Sequence, residues 1–270
     1  MAIIIDKQVS VGLGGCDGSQ LLWENKGNLT GATYATDAPV SDGMEYLFDY
    51  LSTSYFQPEN IATFSVTTTF TTPQICNSVC MAGVNFRSSY VVAINVYDEV
   101  DTLVHTEITT ATANNKPLFA LFDDYNFNSI RVEFVLNIPT GVPFVSTIIT
   151  NLYFGKTLEF PGQPDVGYQP GKWNNSRKTE TFKSQNNAFG RNITTELGTE
   201  ENANFSFIPY EFMDEFYVDF VAQYAAWPVF FAWDKKTSPE DVIFGNVKLG
   251  KASFTTGIHS SISLKFDGII

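Results

Sequence analysis

The sequence predicts a mainly β protein in two parts: an antiparallel β-sandwich or jelly roll, then a small β-sheet domain carrying one amphipathic helix. Three observations lead to this reading. Short runs of alternating apolar and polar residues recur between Ala62 and Phe154, the period-two signature of half-buried strands. A Pro/Gly-rich joint, Phe160-Pro-Gly-Gln-Pro-Asp-Val-Gly-Tyr-Gln-Pro-Gly171, interrupts that texture. Beyond the joint, one stretch of helical period stands among a few further strands.

The chain of 270 residues is long enough for two ordinary domains, and the joint favours that division. The resulting boundaries are an N-terminal arm over 1–36, a sandwich over 37–158, a Pro/Gly/Asn-rich linker over 159–185, and a β domain over 186–270. A composition of 44% hydrophobic and 15% aromatic residues supplies a substantial core and argues against disorder.

Within the arm, the glycine cluster Gly12-Leu-Gly-Gly-Cys-Asp-Gly18 and the polar run to Thr36 read as extended chain with one or two strands. From Ala62, Phe64, Val66 and Phe70 alternate with Ser65, Thr67 and Thr69, placing one face of a strand in a core and the other in water. Similar runs follow over 79–86, 90–97, 103–109, 117–122, 130–136 and 148–154, punctuated by Asp, Asn, Gly and Pro clusters. So many short strands without helical spacing between them imply an antiparallel sandwich.

The second block opens with a polar stretch from Trp173 to Asn187 and a strand over 204–208. A helix is predicted over 209–227. Pro209 suits a first turn, where its missing amide costs nothing. At about 100° per residue, Phe212, Met213, Phe216, Tyr217, Phe220 and Tyr224 share one half of the cylinder, and Glu211, Asp214, Glu215 and Asp219 share the other. Trp227-Pro228 stops the helix, because proline disfavours helical geometry in the preceding residue. The run Pro228-Val-Phe-Phe-Ala-Trp233 is short, β-prone and unbroken in its apolarity, which predicts a strand buried on both faces. Strands over 242–249, 252–258 and 261–266 complete the sheet.

Charge and motifs exclude several functions. A formal charge of -13 repels phosphate backbones, so no nucleic-acid partner is expected. No signal peptide opens the sequence and no segment reaches the roughly 20 apolar residues of a membrane span. Cys16, Cys76 and Cys80 form no disulfide framework. Cys76-Asn-Ser-Val-Cys80 has no second ligand pair to complete a zinc site, so two reduced core thiols are expected. His105 and His259 are far apart in sequence, and no G-x-S-x-G nucleophile elbow accompanies them. The glycine cluster lacks both the P-loop ending and the dinucleotide pattern. The acidic row of the helix reads as a hydrated face near the positive helix end, not as a pair of glycosidase carboxylates across a cleft. No enzyme activity, cofactor or metal is expected.

Two resemblances add to this. Asp49, then Ser52-Thr-Ser-Tyr55-Phe56 and Pro58, followed by Thr/Phe strands and closed by Ile148-Ile-Thr-Asn-Leu-Tyr-Phe-Gly155, is similar to galactose-binding-like (discoidin-type) jelly rolls over about residues 37–158. That family includes many glycan binders and also purely architectural modules. The linker Tyr168-Gln-Pro-Gly171, Phe189-Gly-Arg191, the aromatic helix and Trp227-Pro-Val-Phe-Phe-Ala-Trp-Asp234 resemble tail proteins of long-tailed bacteriophages, whose tail tubes and distal tail rings use small β-sandwiches with a flanking helix. The second resemblance implies a virion structural protein at the tail tip or baseplate, assembled in the host cytoplasm. Its partners would be itself, in a ring, and other tail proteins, with host-surface glycan as a further partner. Its assembly contacts are expected at Tyr168, Trp173, Trp227, Trp233 and Phe216, with the arm over 3–11 next. The alternative is a carbohydrate-binding module or adhesin.

Overall fold

The computed structural model describes residues 18–51, 53–59, 62–85, 90–111, 116–136, 147–170, 177–182, 193–223, 227–234, 241–250, 252–256 and 259–268. In chain order the first strands are β1 (Gln20–Leu22), β2 (Thr33–Thr36), β3 (Val40–Asp42), β4 (Gln57–Pro58), β5 (Thr63–Ala82), β6 (Tyr90–Tyr97), β7 (Leu103–Ala111) and β8 (Leu118–Leu136). They are followed by β9 (Asn151–Gly155), β10 (Leu158–Glu159), β11 (Arg177–Phe182), β12 (Ile193–Pro209), β13 (Val229–Ala232), β14 (Val242–Leu249), β15 (Ser253–Thr256) and β16 (His259–Gly268). The protein is mainly β and its strand pairs are antiparallel, as predicted.

Two long strands organise the first sheet. β5 and β8 pair with each other, one half of their length lying with β2 and β6 and the other with β9, and β7 pairs with β6 at the far edge. The sequence reading divides each of them in two. The reason lies in register shifts between Thr69 and Gln74 and between Cys76 and Ser78, where β-bulges break the alternation without ending the strand. The second shift also exchanges faces. Phe64, Val66, Phe70 and Cys76 point into the first core, but beyond it Val79 and Met81 take that role while Cys80 and Ala82 join another cluster.

The layer formed by β9 and the adjoining halves of β5 and β8 is therefore buried on both faces. One side carries Leu118, Ala120, Leu152 and Phe154 into the first core. The other presents Cys80, Phe119, Leu121 and Tyr153 to Leu22, Phe230, Ala232 and Phe244 of the second sheet. That second sheet runs in the order β10-β1-β13-β14-β16-β12-β11, with β15 paired to β16. It too is buried twice where β1, β13 and β14 lie, because Leu21, Phe231 and Ile243 face the helix side. The expected strand buried on both faces is found over β13, all four of whose residues are buried, while Trp233 beyond it is only partly buried.

The arm and the linker both contribute strands to this sheet. β1, from the arm, pairs with β10 and β13, and β11, inside the linker, pairs with β12. A three-residue strand is too short for any periodicity to register, and Arg177-Lys-Thr-Glu-Thr-Phe182 lacks an apolar alternation. The linker is pinned as well. The Asp165 carboxylate accepts from the Ser206 amide at 3.1 Å and its hydroxyl at 2.7 Å, and the Asp165 amide donates to the Asn204 carbonyl at 2.7 Å.

The helix begins at Tyr210 after Pro209, runs as α1 (Tyr210–Phe212) into a π-helical stretch (Met213–Tyr217), and continues as α2 (Val218–Gln223). Phe212, Tyr217 and Phe220 are buried in the helix-side core, while Glu211, Asp214 and Asp219 are exposed. This is the division of faces that the periodicity predicts. Tyr224, at the end of the predicted 209–227 span, lies outside the described residues, as do the side chains of Glu215 and Phe216.

Cys76 and Cys80 are free and fully buried. Burial pushes the Cys76 thiol up to about 12, its hydrogen bond to the Ser78 carbonyl opposing this only in part. The thiolate is the reactive form, so neither cysteine should react with a thiol reagent in the native protein at mildly alkaline pH, whereas both should react after denaturation. Rapid native labelling at Cys76 or Cys80, located by peptide mapping, would count against this packing. The linkage has a definite sign: between the ordinary thiol value near 9 and about 12, the unfolded chain releases a proton that the folded chain retains. This group's contribution is therefore intact below that window and is lost as pH rises through it.

Candidate functional site

A half-exposed aromatic platform sits where the two sheets meet, and its construction starts at Asn25. Asn25 caps a 3-10 turn (Lys26–Asn28), its side-chain oxygen accepting from the Gly27 amide at 3.0 Å and the Phe154 amide at 3.3 Å. Its side-chain amide donates to the Leu152 carbonyl at 3.0 Å. One buried side chain thus satisfies three backbone groups and fixes the turn to β9. Gly155 is required beside it, because a Cβ there would lie 2.6 Å from the Glu24 carbonyl oxygen.

The next component is Tyr50, held at φ 64°, a left-handed conformation uncommon for a residue with a Cβ. The cause is local. Asp49 accepts from the Leu51 amide at 2.8 Å and from the Ser54 hydroxyl at 2.5 Å, forming a side-chain turn that folds the backbone back at Tyr50. The Tyr50 ring meets Tyr153 edge-on at 5.4 Å and stacks on Trp227 at 4.5 Å with 17° between planes. Burial raises the pKa of its hydroxyl, and hydrogen bonds involving the Asn28 side chain and the Asn25 backbone act against that. The phenol accordingly stays neutral.

Trp227 completes the platform from the other sheet. It is 45% exposed, while the next residue is anchored, since the buried Tyr153 hydroxyl donates to the Pro228 carbonyl at 3.2 Å. One face of the indole is occupied by Tyr50 and much of the rest is open. Beside Tyr50, the Asn28 side chain hydrogen-bonds to its hydroxyl, and Glu24, whose charge acts on that hydroxyl, pairs with Lys26 at 2.6 Å. Tyr46, Leu51 and Tyr55 are further exposed side chains of the same 44–55 segment.

The other predicted contact residues fall elsewhere. Tyr168 is not a free linker side chain: its ring lies against Trp233 and Phe231, and its hydroxyl donates to Glu201 at 2.5 Å. Burial, then the charge of Glu201, raises the pKa of that hydroxyl strongly. Trp233 is partly buried against the same core, with its indole N–H 3.5 Å from Asp241. Trp173, the arm over 3–11 and Cys16 lie outside the described residues. Of the five expected assembly residues, Trp227 is therefore the one whose described side chain is exposed and open to a partner, and periodicity gave no sign of its stacking on Tyr50.

The two histidines are not brought together. His105 stacks on Tyr125 at 4.7 Å and lies 3.3 Å from Glu107 in the first sheet, whereas His259 starts β16 of the second. Among the described residues no group of three or more His, Cys, Asp or Glu side chains is arranged to hold a metal, and no helix is long and apolar enough to cross a membrane.

No protein-family model matches the chain, and no curated protein matches it. Solved structures do match part of it. A GH29 fucosidase from Ruminococcus gnavus in complex with fucose has 9% identity and a TM-score of 0.40, over 50% of this chain and 27% of that one. A CBM32 module of AlyQ, in complex with 4,5-unsaturated mannuronic acid, has 14% identity and a TM-score of 0.38 over 49% and 96%. A chitosan-binding module from Paenibacillus sp. IK-5 has 16% identity and a TM-score of 0.37 over 47% and 96%. The similarity is to about half of this chain and about a quarter of the fucosidase. At these scores it assigns neither activity nor ligand, and nothing in it supports the tail-protein resemblance.

Proposed function

We propose that this protein is a non-catalytic glycan-recognition protein that takes a saccharide ring against the open face of Trp227, with Tyr50 behind the indole. The observation that carries this reading is a tryptophan left almost half exposed while its position is fixed from two sheets. A soluble fold gains by burying an indole of this size. A rigid aromatic surface with a few polar groups at its rim is what ligand sites use to orient a small polar molecule. The apolar face of a pyranose ring lies flat on such a surface, and Asn28 and Glu24, which act on the Tyr50 hydroxyl, would supply a donor and acceptors for its hydroxyls. The left-handed backbone at Tyr50 fits the same reading, since local strain of this kind collects at binding sites.

The test is glycan-array and calorimetric binding of the full chain. The wild type should bind a saccharide class, and Trp227→Ala should lower that affinity by at least about tenfold, as for a central aromatic anchor, with little change in melting temperature. Absence of binding to any glycan, or equal binding by Trp227→Ala, would overturn the reading.

A further inference from the structure

Independently of the glycan reading, we propose that two copies of this protein pair through the open edge of β7, antiparallel and with a twofold axis at Thr106, so that one sheet continues across the dimer. β7 runs for nine residues at the end of the first sheet and pairs on one side with β6. Among the described residues no strand lines its other side, so a row of backbone amides and carbonyls faces outward there. Natural edges of this kind are blunted by shortness, lysine or proline. Other edges of this fold follow that rule: β10 has two residues, β2 and β15 have four each, and β11 opens on Arg177 and Lys178. By contrast, Leu103-Val-His-Thr-Glu-Ile-Thr-Thr-Ala111 holds no lysine, arginine or proline, and its Val104 and Ile108 are 38% and 61% exposed.

The side chains set the register and the occupant. His105 and Glu107 stand opposite the buried Val96 and Ile94 of β6, on the inner face of the sheet, where His105 stacks on Tyr125 at 4.7 Å and lies 3.3 Å from Glu107. Thr106 and Ile108 alternate with them and are exposed. The register shift between β6 and β7 lies before His105, which leaves 105–111 regular. Directly opposed residues of antiparallel strands share a face. A twofold axis at Thr106 therefore sets His105 against the second copy's Glu107, and Glu107 against its His105, with an imidazole N–H donating to a carboxylate in each case. It also brings Ile108 to the second copy's Val104, and Thr106 to its own counterpart. Moving the axis by one residue either way opposes two histidines or two glutamates. An inward-pointing charge guards an edge against foreign strands, because a strand with no matching imidazole leaves Glu107 unmatched. A second copy in this one register meets no such penalty, and specificity arises from that difference.

Charge and area set the strength. Each copy carries -13, which opposes association at long range and is screened by salt. The acidic turn Asp98-Glu-Val-Asp101 precedes β7. In an antiparallel pair the two turns fall at opposite ends of the shared strands, roughly 30 Å apart and beyond a Debye length of about 8 Å. A single strand edge covers less than the roughly 800 Å² per partner of a standard interface, so the dimer is weak and depends on concentration.

Sedimentation velocity of the full chain over a concentration series should show a monomer–dimer equilibrium that tightens as salt rises. Thr106→Lys places two ammonium groups against each other on the axis, leaves the inner face of β7 untouched, and should weaken the dimer by at least about tenfold. His105→Glu sets carboxylates against carboxylates and should act in the same direction. Combining His105→Glu with Glu107→His exchanges the two groups, restores the match, and should recover the wild-type dimer. With Cys16→Ser removing the cysteine outside the described residues, Thr106→Cys should oxidise to a covalent dimer, since opposed Cα atoms about 4.5–5.5 Å apart are within disulfide reach. Thr110→Cys should not. A monomer at every concentration and salt, a dimer indifferent to Thr106→Lys, or cross-linking at 110 in preference to 106 overturns the proposal. So does an exchanged double variant that melts like the wild type yet stays monomeric. Should that variant fail to fold, the two substitutions of Thr106, on the exposed face, decide the matter by themselves.

Discussion

Phe230→Ala should destabilise the whole protein by about 3–5 kcal/mol, the usual cost of removing a buried phenylalanine, and should do so in a single unfolding transition. Phe230 is fully buried in the cluster that joins the two sheets, 5.1 Å from the Tyr153 ring and 4.5 Å from the Phe244 ring. Truncation leaves a cavity lined by residues of both sheets, so neither can relax without the other. Denaturant unfolding followed by near-ultraviolet circular dichroism, with hydrogen exchange reporting on β6 and on β14 separately, measures this. Two transitions, with β6 protection unchanged in the variant, would show that the sheets are energetically independent. The Pro/Gly joint predicts such independence for a fragment ending near residue 160. The shared cluster argues the reverse, because that fragment would expose Phe119, Leu121 and Tyr153.

Phe220→Asp should be almost as damaging. Phe220 is fully buried on the inner face of the helix, against Trp23 and Tyr217. A carboxylate there has no described basic partner and must either lose its hydration or be protonated, at a cost of several kcal/mol. Its neighbour Asp219 is exposed, and Asp219→Asn should change stability by no more than about 0.5 kcal/mol, as surface substitutions do. Thermal melts of the two variants compare adjacent positions directly. Equal shifts would mean that the apolar stripe does not face the core.

What could be read from sequence was what repeats locally. The alternation at 90–97 coincides with β6, and the apolar run before Trp233 with the doubly buried β13. The helix faces at 211–220 follow from a period that needs no knowledge of neighbours. What escaped depends on partners remote in sequence. A single bulge between Cys76 and Ser78 sends the two cysteines to different clusters, although their spacing alone would put both on one face of a regular strand. Gln20–Leu22 becomes a strand because β13 and β10 flank it, and nothing within three residues announces that. The candidate site escaped for the same reason. Trp227 is legible as a contact residue, but Tyr50 lies far from it along the chain, and the Asp49 turn that sets Tyr50 reads as ordinary loop composition.

The place of β1 in the second sheet has a consequence for synthesis. Leu21 and Leu22 leave the ribosome well before their partners Phe231 and Phe230, which are encoded about 200 residues later, an interval of about 10–40 s at roughly 5–20 residues per second. During that time the nascent chain carries Phe119, Leu121 and Tyr153 without their partners from the second sheet, and a strand waiting for its neighbour. Pairings this distant are slow to form even in a complete chain. The vulnerable species is therefore the nascent chain whose β13 is still to come, and holdase chaperones should engage it most strongly just before residues 229–232 leave the exit tunnel.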